Sequence, residues 1–402
     1  MHGRLPIFAP SHKALYKPRE VVSSMKLFCR NLSVVTMSDT PNASSESSSN
    51  PSKLPPEQLP DLPVGSDASG GIFPNRNRGC AITFVAVVVL FFGWLALLVN
   101  LPASRPDPEP LSPYLQKKFD ALPLGANVIA FINLHAIRQT DFWNTFLPDS
   151  IKSKPLVSDS STISKLMRVA NFNFTRDTDT LIYAAVNRLD APELTFAVLL
   201  ASFDTANAFK ALPLFAKEKK PISPMHAAFR LDDKQWVSFI SPKELVMSND
   251  VELIARYIAP QESFFAADTV MKPLLDEVRY KSQVWLALGS TRWAMEALRG
   301  LTSSSEGLSA SGNISKVERL TLCTQFSDGI AVETIWHYDS RTSAFFAGGL
   351  VRLAAWVSKQ FSQRQSQAIK KILGELTITQ NLETLILEAE IERALLDELR
   401  SN

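Results

Sequence analysis

Val317 to Tyr338 reads VERLTLCTQF-SDG-IAVETIWHY. Two runs rich in β-branched and aromatic residues flank Ser327-Asp328-Gly329, and Asp-Gly between such runs is a strong short-range hairpin signal. A second hairpin lies upstream: TLIYAAV (180–186) and ELTFAVLLASF (193–203), joined by the turn-rich NRLDAPE. The two hairpins are about 140 residues apart, which is the scale of a duplicated domain and not of a solenoid repeat.

Working outward, similar elements surround each hairpin. Before the first come the strand VIAFINL (128–134), the amphipathic HAIRQTDFWNTFLPDSI and the helical SKLMRVANF. After it, Asp204 stands as the N-cap of TANAFKALPLFAKE. The strands HAAFRL, WVSFIS and ELVMSN follow, and Asp250 caps VELIARYIA, which stops at Pro260. A linking helix is expected over 267–278. The second half then offers QVWLALG (283–289), a helix over 291–300, the hairpin, a long helical stretch over 341–372, the strands ELTITQN and TLILEAEI, and a final helix ERALLDELR. Strand, helix, hairpin, helix, strands, helix is the order of a βαββαβ ferredoxin-like unit. The expected fold is α+β, with two ferredoxin-like halves at 121–262 and 263–402. The competing account is one continuous α+β sheet without repetition.

Farther upstream, Ala81 to Leu101 is AITFVAVVVLFFGWLALLVNL, without a charge. At about 1.5 Å of rise per residue it matches a hydrocarbon layer of about 30 Å, so a transmembrane helix is expected over 80–101. Arg76 and Arg78 precede it, while Arg105, Asp107 and Glu109 follow. That bias places the amino terminus in the cytoplasm and the folded part outside a bacterial inner membrane. Lys117 and Lys118 narrow the margin. LPASRPDPEPLSP (101–113) reads as a stiff, extended spacer, assigned to 102–120. Residues 1–79 read as a disordered tail, with 37–71 too rich in Ser, Pro, Asp and Asn to build a core. Residues 1–36 read as a start-site extension, or else as a basic presequence.

The formal charge of +2 over 402 residues gives no reason to expect nucleic acid. Three cysteines, of which only Cys323 is in the folded part, exclude an internal disulfide there. Cys323 reads as a small buried hydrophobe, and Cys80 as an acylation candidate at most. His135, His226 and His337 each stand alone, without a second ligand type at metal spacing. Glu388, Glu390 and Glu392 alternate and so share a strand face, read as solvated, with a weak cation site as the sharper alternative. Asp232-Asp233 reads as a turn. Gly307 to Ser311 lacks the second glycine of a nucleophile elbow. Lys217, Lys219 and Lys220 read as a basic helix end, and Asn173 and Asn313 as glycosylation-pattern matches. No catalytic, cofactor or metal residue is assigned. SAFFAGGLVRLAAWV (343–357) is apolar on nearly every side. It reads as a helix buried between the halves with Gly348-Gly349 allowing close approach, or else as a surface that docks a partner or the membrane.

LPLGANVIAFINLHAIRQTDFW (122–143) and ELVMSNDVELIARYI (244–258) resemble segments of uncharacterised membrane-anchored bacterial proteins of acidobacterial type. The resemblance implies an exported, tethered domain and carries no site residue. The expected role is a membrane-tethered, extracytoplasmic binding or scaffolding module with the lipid bilayer and an envelope protein as partners and no cofactor. The alternative is an envelope enzyme or small-ligand receptor whose site forms only in three dimensions.

Overall fold

The Asp328-Gly329 turn closes the predicted hairpin, and that hairpin proves to be two neighbouring strands of one broad sheet. The structure is a computed structural model that describes residues 90, 93–94, 109–147, 149–152, 162–188, 192–231, 235–295, 316–361 and 367–401. The chain divides into two units, Met1–Ser33 with Val99–Asn402, and Val34–Leu98. In the second, the described residues Leu90, Gly93 and Trp94 are helical.

In the first unit, with the single helical turns at Asp149–Lys152 and Phe174–Asp177 left unnumbered, the order is α1 (Pro113–Asp120), β1 (Val128–Asn133), α2 (Leu134–Arg138), a single π turn (Phe142–Phe146), α3 (Thr162–Val169), β2 (Thr178–Val186), β3 (Leu194–Ala201), α4 (Thr205–Phe215), β4 (Glu218–Pro221), β5 (Ala227–Arg230), β6 (Trp236–Ser241) and β7 (Glu244–Ser248). Then come α5 (Val251–Ile258), α6 (Phe264–Ala267), α7 (Met271–Asp276), β8 (Val284–Leu288), β9 (Val317–Phe326), β10 (Ile330–Tyr338), α8 (Arg341–Phe361), α9 (Gln367–Glu375), β11 (Thr377–Asn381), β12 (Thr384–Ile391) and α10 (Arg393–Ser401). The predicted caps form. Asp204 accepts from the Asn207 N–H at 3.2 Å and Asp250 from the Glu252 N–H at 2.9 Å. The linking helix over 267–278 is broken in two, because Asp268 turns its carboxylate onto the Val270 and Met271 N–H groups and starts α7 afresh.

The twelve strands form one sheet in the order β11-β12-β10-β9-β8-β1-β2-β3-β7-β6-β5-β4. Every one of its eleven pairings is antiparallel. The α+β class therefore holds, but a ferredoxin-like unit is a split βαβ in which a third strand lies between the two strands that a helix connects, whereas here β1 and β2 are direct antiparallel neighbours, as are β8 and β9. The helical segments after β1 pack around Ile137, Phe142, Phe326 and Leu396 and return the chain as β2, antiparallel beside β1.

One transverse row shows how the sheet is layered. Phe131, Ile182, Val198 and Val246 run across β1, β2, β3 and β7. In the other direction, Phe131 is followed by Trp285, Cys323, Glu333, Glu388 and Thr377. This front face is roofed by α1 and α5–α7 from β7 to β9. Trp285, fully buried, stacks on Phe119 and Phe131 with both ring centroids at 5.3 Å. On the back, α3 and α4 cover β2, β3 and β7, and α8 covers β10 and β12. Full burial of a large apolar side chain stabilises by about 1.5–3 kcal/mol, so these two layers dominate the fold.

Two expectations need correction. The second half of the predicted spacer is not extended: Ser112 caps α1, Pro113 occupies its first turn, and Phe119 enters the core. Among the described residues, no helix is long and apolar enough to cross a membrane. The single-pass transmembrane architecture and the inner-membrane address read from 80–101 are withdrawn on that finding. Apart from Leu90, Gly93 and Trp94, that stretch lies outside the described residues, as do the tail 1–79, Asp232-Asp233, Gly307–Ser311 and Asn313.

Candidate functional site

The row across the front face changes character between β9 and β10. Cys323 is buried under the roof, while Glu333 beside it is 5% exposed and faces Glu388 across the β10–β12 pairing. Past the roof the sheet lies open as a cleft of about 470 Å³, lined by Arg279, Glu333, Glu375, Glu388, Glu390 and Glu392 among others. Arg279 leaves the roof just after α7 and pairs with Glu333, while its Nη2 also donates to Glu388 Oε1 at 2.8 Å. Two residues earlier, Glu277 Oε2 lies 2.9 Å from His337 Nε2 of the same strand β10. One short segment of the roof thus presents an acid to the strand's base and a base to the strand's acid. Two carboxylates directly opposite each other repel, and the guanidinium between them offsets that repulsion.

Glu388 and Glu390 do share a face, as the alternation predicts, and Glu392 lies beyond the strand, where its carbonyl accepts from Leu395 and Leu396 at the start of α10. The three histidines do not meet. His135 pairs with Asp179 on the outside of α2, and His226 sits between Ser223 Oγ and the Ile240 carbonyl. Among the described residues no set of His, Cys, Asp and Glu converges on a point that could hold a metal ion. Asn173 Oδ1 accepts from the Arg176 N–H. The basic run at 217–220 does not end a helix. It forms the outer strand β4, with Lys220 donating to Glu252 at 2.7 Å, and that bond holds the Glu252 carboxyl below its usual range. An outer strand of Glu, Lys and Pro resists pairing with another chain, which explains a composition that does not read as a strand.

A buried polar group that the sequence did not disclose ties α1, β7 and α5 together. Glu244, 4% exposed, is paired with Lys118, and Tyr257 Oη donates to its Oε1 at 2.6 Å. Burial first, and then the neighbouring Glu244, pushes the Tyr257 phenol above its ordinary range.

The most unusual surface belongs to α8. Its inner side consists of Ala344, Ala347, Gly348 and Val351, set against Trp336, Leu385 and Leu387. A Cβ on Gly348 would come within 3.0 Å of Leu385 Cδ1, so glycine permits the close approach. Its outer side carries Phe346, Leu353, Trp356 and Val357, which are 53, 55, 54 and 42% exposed. Positions 346, 349, 353 and 356 follow the helical repeat and form one stripe. The helix therefore turns Ala344, Ala347 and Gly348 inward and Phe346, Leu353 and Trp356 to solvent, the reverse of what core formation alone favours. The stretch over 343–357 is not buried between two halves. It lies on the back of the sheet with one side open, and Arg352 Nη2 donates to the Ile378 carbonyl of the outer strand β11 at 2.8 Å.

No protein-family model matches the chain, and no curated protein matches it. Among solved structures, a protein described as TP0453 is similar in three crystal forms. Form I is 11% identical, with a TM-score of 0.41, over 71% of this chain and 96% of that one. Form III is 10% identical, with a TM-score of 0.39, over 70% and 97%.

Proposed function

We propose that this chain is a non-catalytic binding or scaffolding module and that the outer side of α8 is where it holds another protein through apolar side chains. The observation that carries the reading is the inverted helix, with Ala and Gly against the sheet and Phe346, Leu353 and Trp356 outward. Contiguous exposed apolar surface of this kind marks an interaction site, and aromatic residues are enriched where protein partners bind.

The test separates fold from binding. Replacing Phe346, Leu353 and Trp356 together by Ser leaves the unfolding free energy within about 1 kcal/mol of the parent, because half-exposed side chains contribute little burial. A photo-crosslinking side chain at Leu353 of the full chain gives a discrete adduct in cells that the two remaining substitutions abolish. A loss of several kcal/mol in the triple variant would show that the stripe serves the fold and would end the proposal.

We further infer that the sheet arose by duplication. Outward from the β1–β8 seam, the order β1-β2-β3-β7-β6 is matched by β8-β9-β10-β12-β11, each a single strand, a hairpin and a second hairpin. Crystal structures of the two halves expressed separately test it: superposable halves are expected, and unrelated packing of their strands counts against it.

A further inference from the structure

The charge around the α8 stripe names the partner's chemistry, an inference that rests on reading that face as a docking surface. From Arg341 to Gly374 the sequence holds six basic residues and no acidic one. Arg341 is neutralised by Glu383 at 3.0 Å, and this hydrogen bond holds the Glu383 carboxyl below its usual range. Arg352 is exposed and donates to the Ile378 carbonyl, not to a carboxylate. Lys359 and Lys371 are exposed, and neither they nor Lys370 has a carboxylate within ion-pair distance among the described residues. Elsewhere on the domain many cations are matched, as Lys118 is by Glu244, Arg138 by Asp179, Lys220 by Glu252 and Arg230 by Glu218. Cations without carboxylates thus gather beside the exposed aromatic stripe.

We propose that α8 and α9 receive an acidic amphipathic helix of a partner protein. Its apolar side would lie along Phe346, Leu353 and Trp356, with carboxylates on its flanks facing Arg352, Lys359 and Lys371. Laying an amphipathic helix along an apolar surface is a common recognition mode, anchored at helical spacing. Matched flanking charge speeds encounter and rejects partners of the wrong sign. Nothing in the stripe's spacing requires a second copy of this chain, whose own α8 would bring like charge against like.

The experiment measures binding of two synthetic helical peptides to the full-length protein by fluorescence anisotropy. They share one leucine-rich side and differ only in flanks of Glu or of Lys. The acidic peptide is expected to bind at least about tenfold more tightly, to weaken as salt is raised, and to lose about tenfold on Trp356→Ala. The charge reversal Lys359→Glu with Lys371→Glu should invert the preference, with circular dichroism confirming that each variant is folded. Equal binding of both peptides overturns the charge assignment while leaving the docking face standing. Binding of neither overturns both. Tighter binding to vesicles of anionic lipid than to the acidic peptide, with the same dependence on Lys359, overturns the protein partner. A Trp356-dependent dimer in analytical ultracentrifugation replaces it with a second copy.

Discussion

Replacing Arg279 by Met removes the guanidinium from between Glu333 and Glu388 while keeping most of the side chain's packing. Glu333 is 5% exposed and has Glu388 as its cross-strand partner, so the variant leaves a buried carboxylate opposite a second one. Breaking a buried pair by removing one member costs about 3–5 kcal/mol. The Arg279 and Glu388 side chains are 47% and 42% exposed, however, so water screens part of the effect, and the Glu388 contact alone contributes about 0–1 kcal/mol. The expected loss is therefore about 2–3 kcal/mol, intermediate between these limits. Urea unfolding of the variant, of Glu333→Gln and of the double variant supplies a complete cycle. Glu333→Gln in the Arg279→Met background should recover at least about 1.5 kcal/mol of the sum of the single effects, since the uncompensated charge is gone. Glu388→Gln should cost less than about 1 kcal/mol. An Arg279→Met variant within about 0.5 kcal/mol of the parent, or a strictly additive cycle, would show that the carboxylates do not depend on the guanidinium.

Four further outcomes are expected. A Cβ on Gly329 would clash with the Ile391 carbonyl oxygen, a backbone atom that cannot swing aside, so Gly329→Ala should cost at least about 1–3 kcal/mol in urea titration. Gly349→Ala, whose added methyl meets open space on a helix, should raise stability by about 0.5–1 kcal/mol. Burial raises the phenols of Tyr183, Tyr257, Tyr280 and Tyr338 above their ordinary range. Because the fold favours the protonated form, the stability from each is fully present below about pH 10. It falls above that by about 1.4 kcal/mol per pH unit per phenol, so these groups should ionise only as the protein unfolds in an alkaline titration followed by tyrosinate absorbance. Tyr257→Phe, which removes the hydrogen bond to the buried Glu244, should lower the urea-derived stability by about 1.5–3 kcal/mol.

Local elements were legible because their signals are local. The Asp328-Gly329 turn, the caps at Asp204 and Asp250 and the alternation through Glu388 and Glu390 all lie within a few residues of what they specify. Strand order was not legible, since the same succession of elements serves a parallel crossover or an antiparallel meander, and only the helices packed at the strand ends decide. The outer strand β4 escaped because Glu, Lys and Pro are poor strand formers, selected where pairing must stop. Alternation shows that Glu388 and Glu390 share a face. It cannot show that the roof ends at Cys323, one strand beyond Glu333, or that Arg279 reaches across from the loop after α7. The apolar character of 343–357 was visible, but the assignment of Gly348 to the inner side and Trp356 to the outer side needed the position of Leu385.

A ribbon of twelve strands ends in two margins, and each unsealed margin is an invitation to endless addition of further chains. At one margin Pro221 withholds a donor. At the other, the Ile378 carbonyl is stoppered by Arg352, a side chain borrowed from the very helix whose greasy side looks outward. The same guanidinium that would greet a visiting carboxylate thus occupies a main-chain acceptor of the outermost strand, so a guest on α8 and a newcomer at that margin would compete for one side chain.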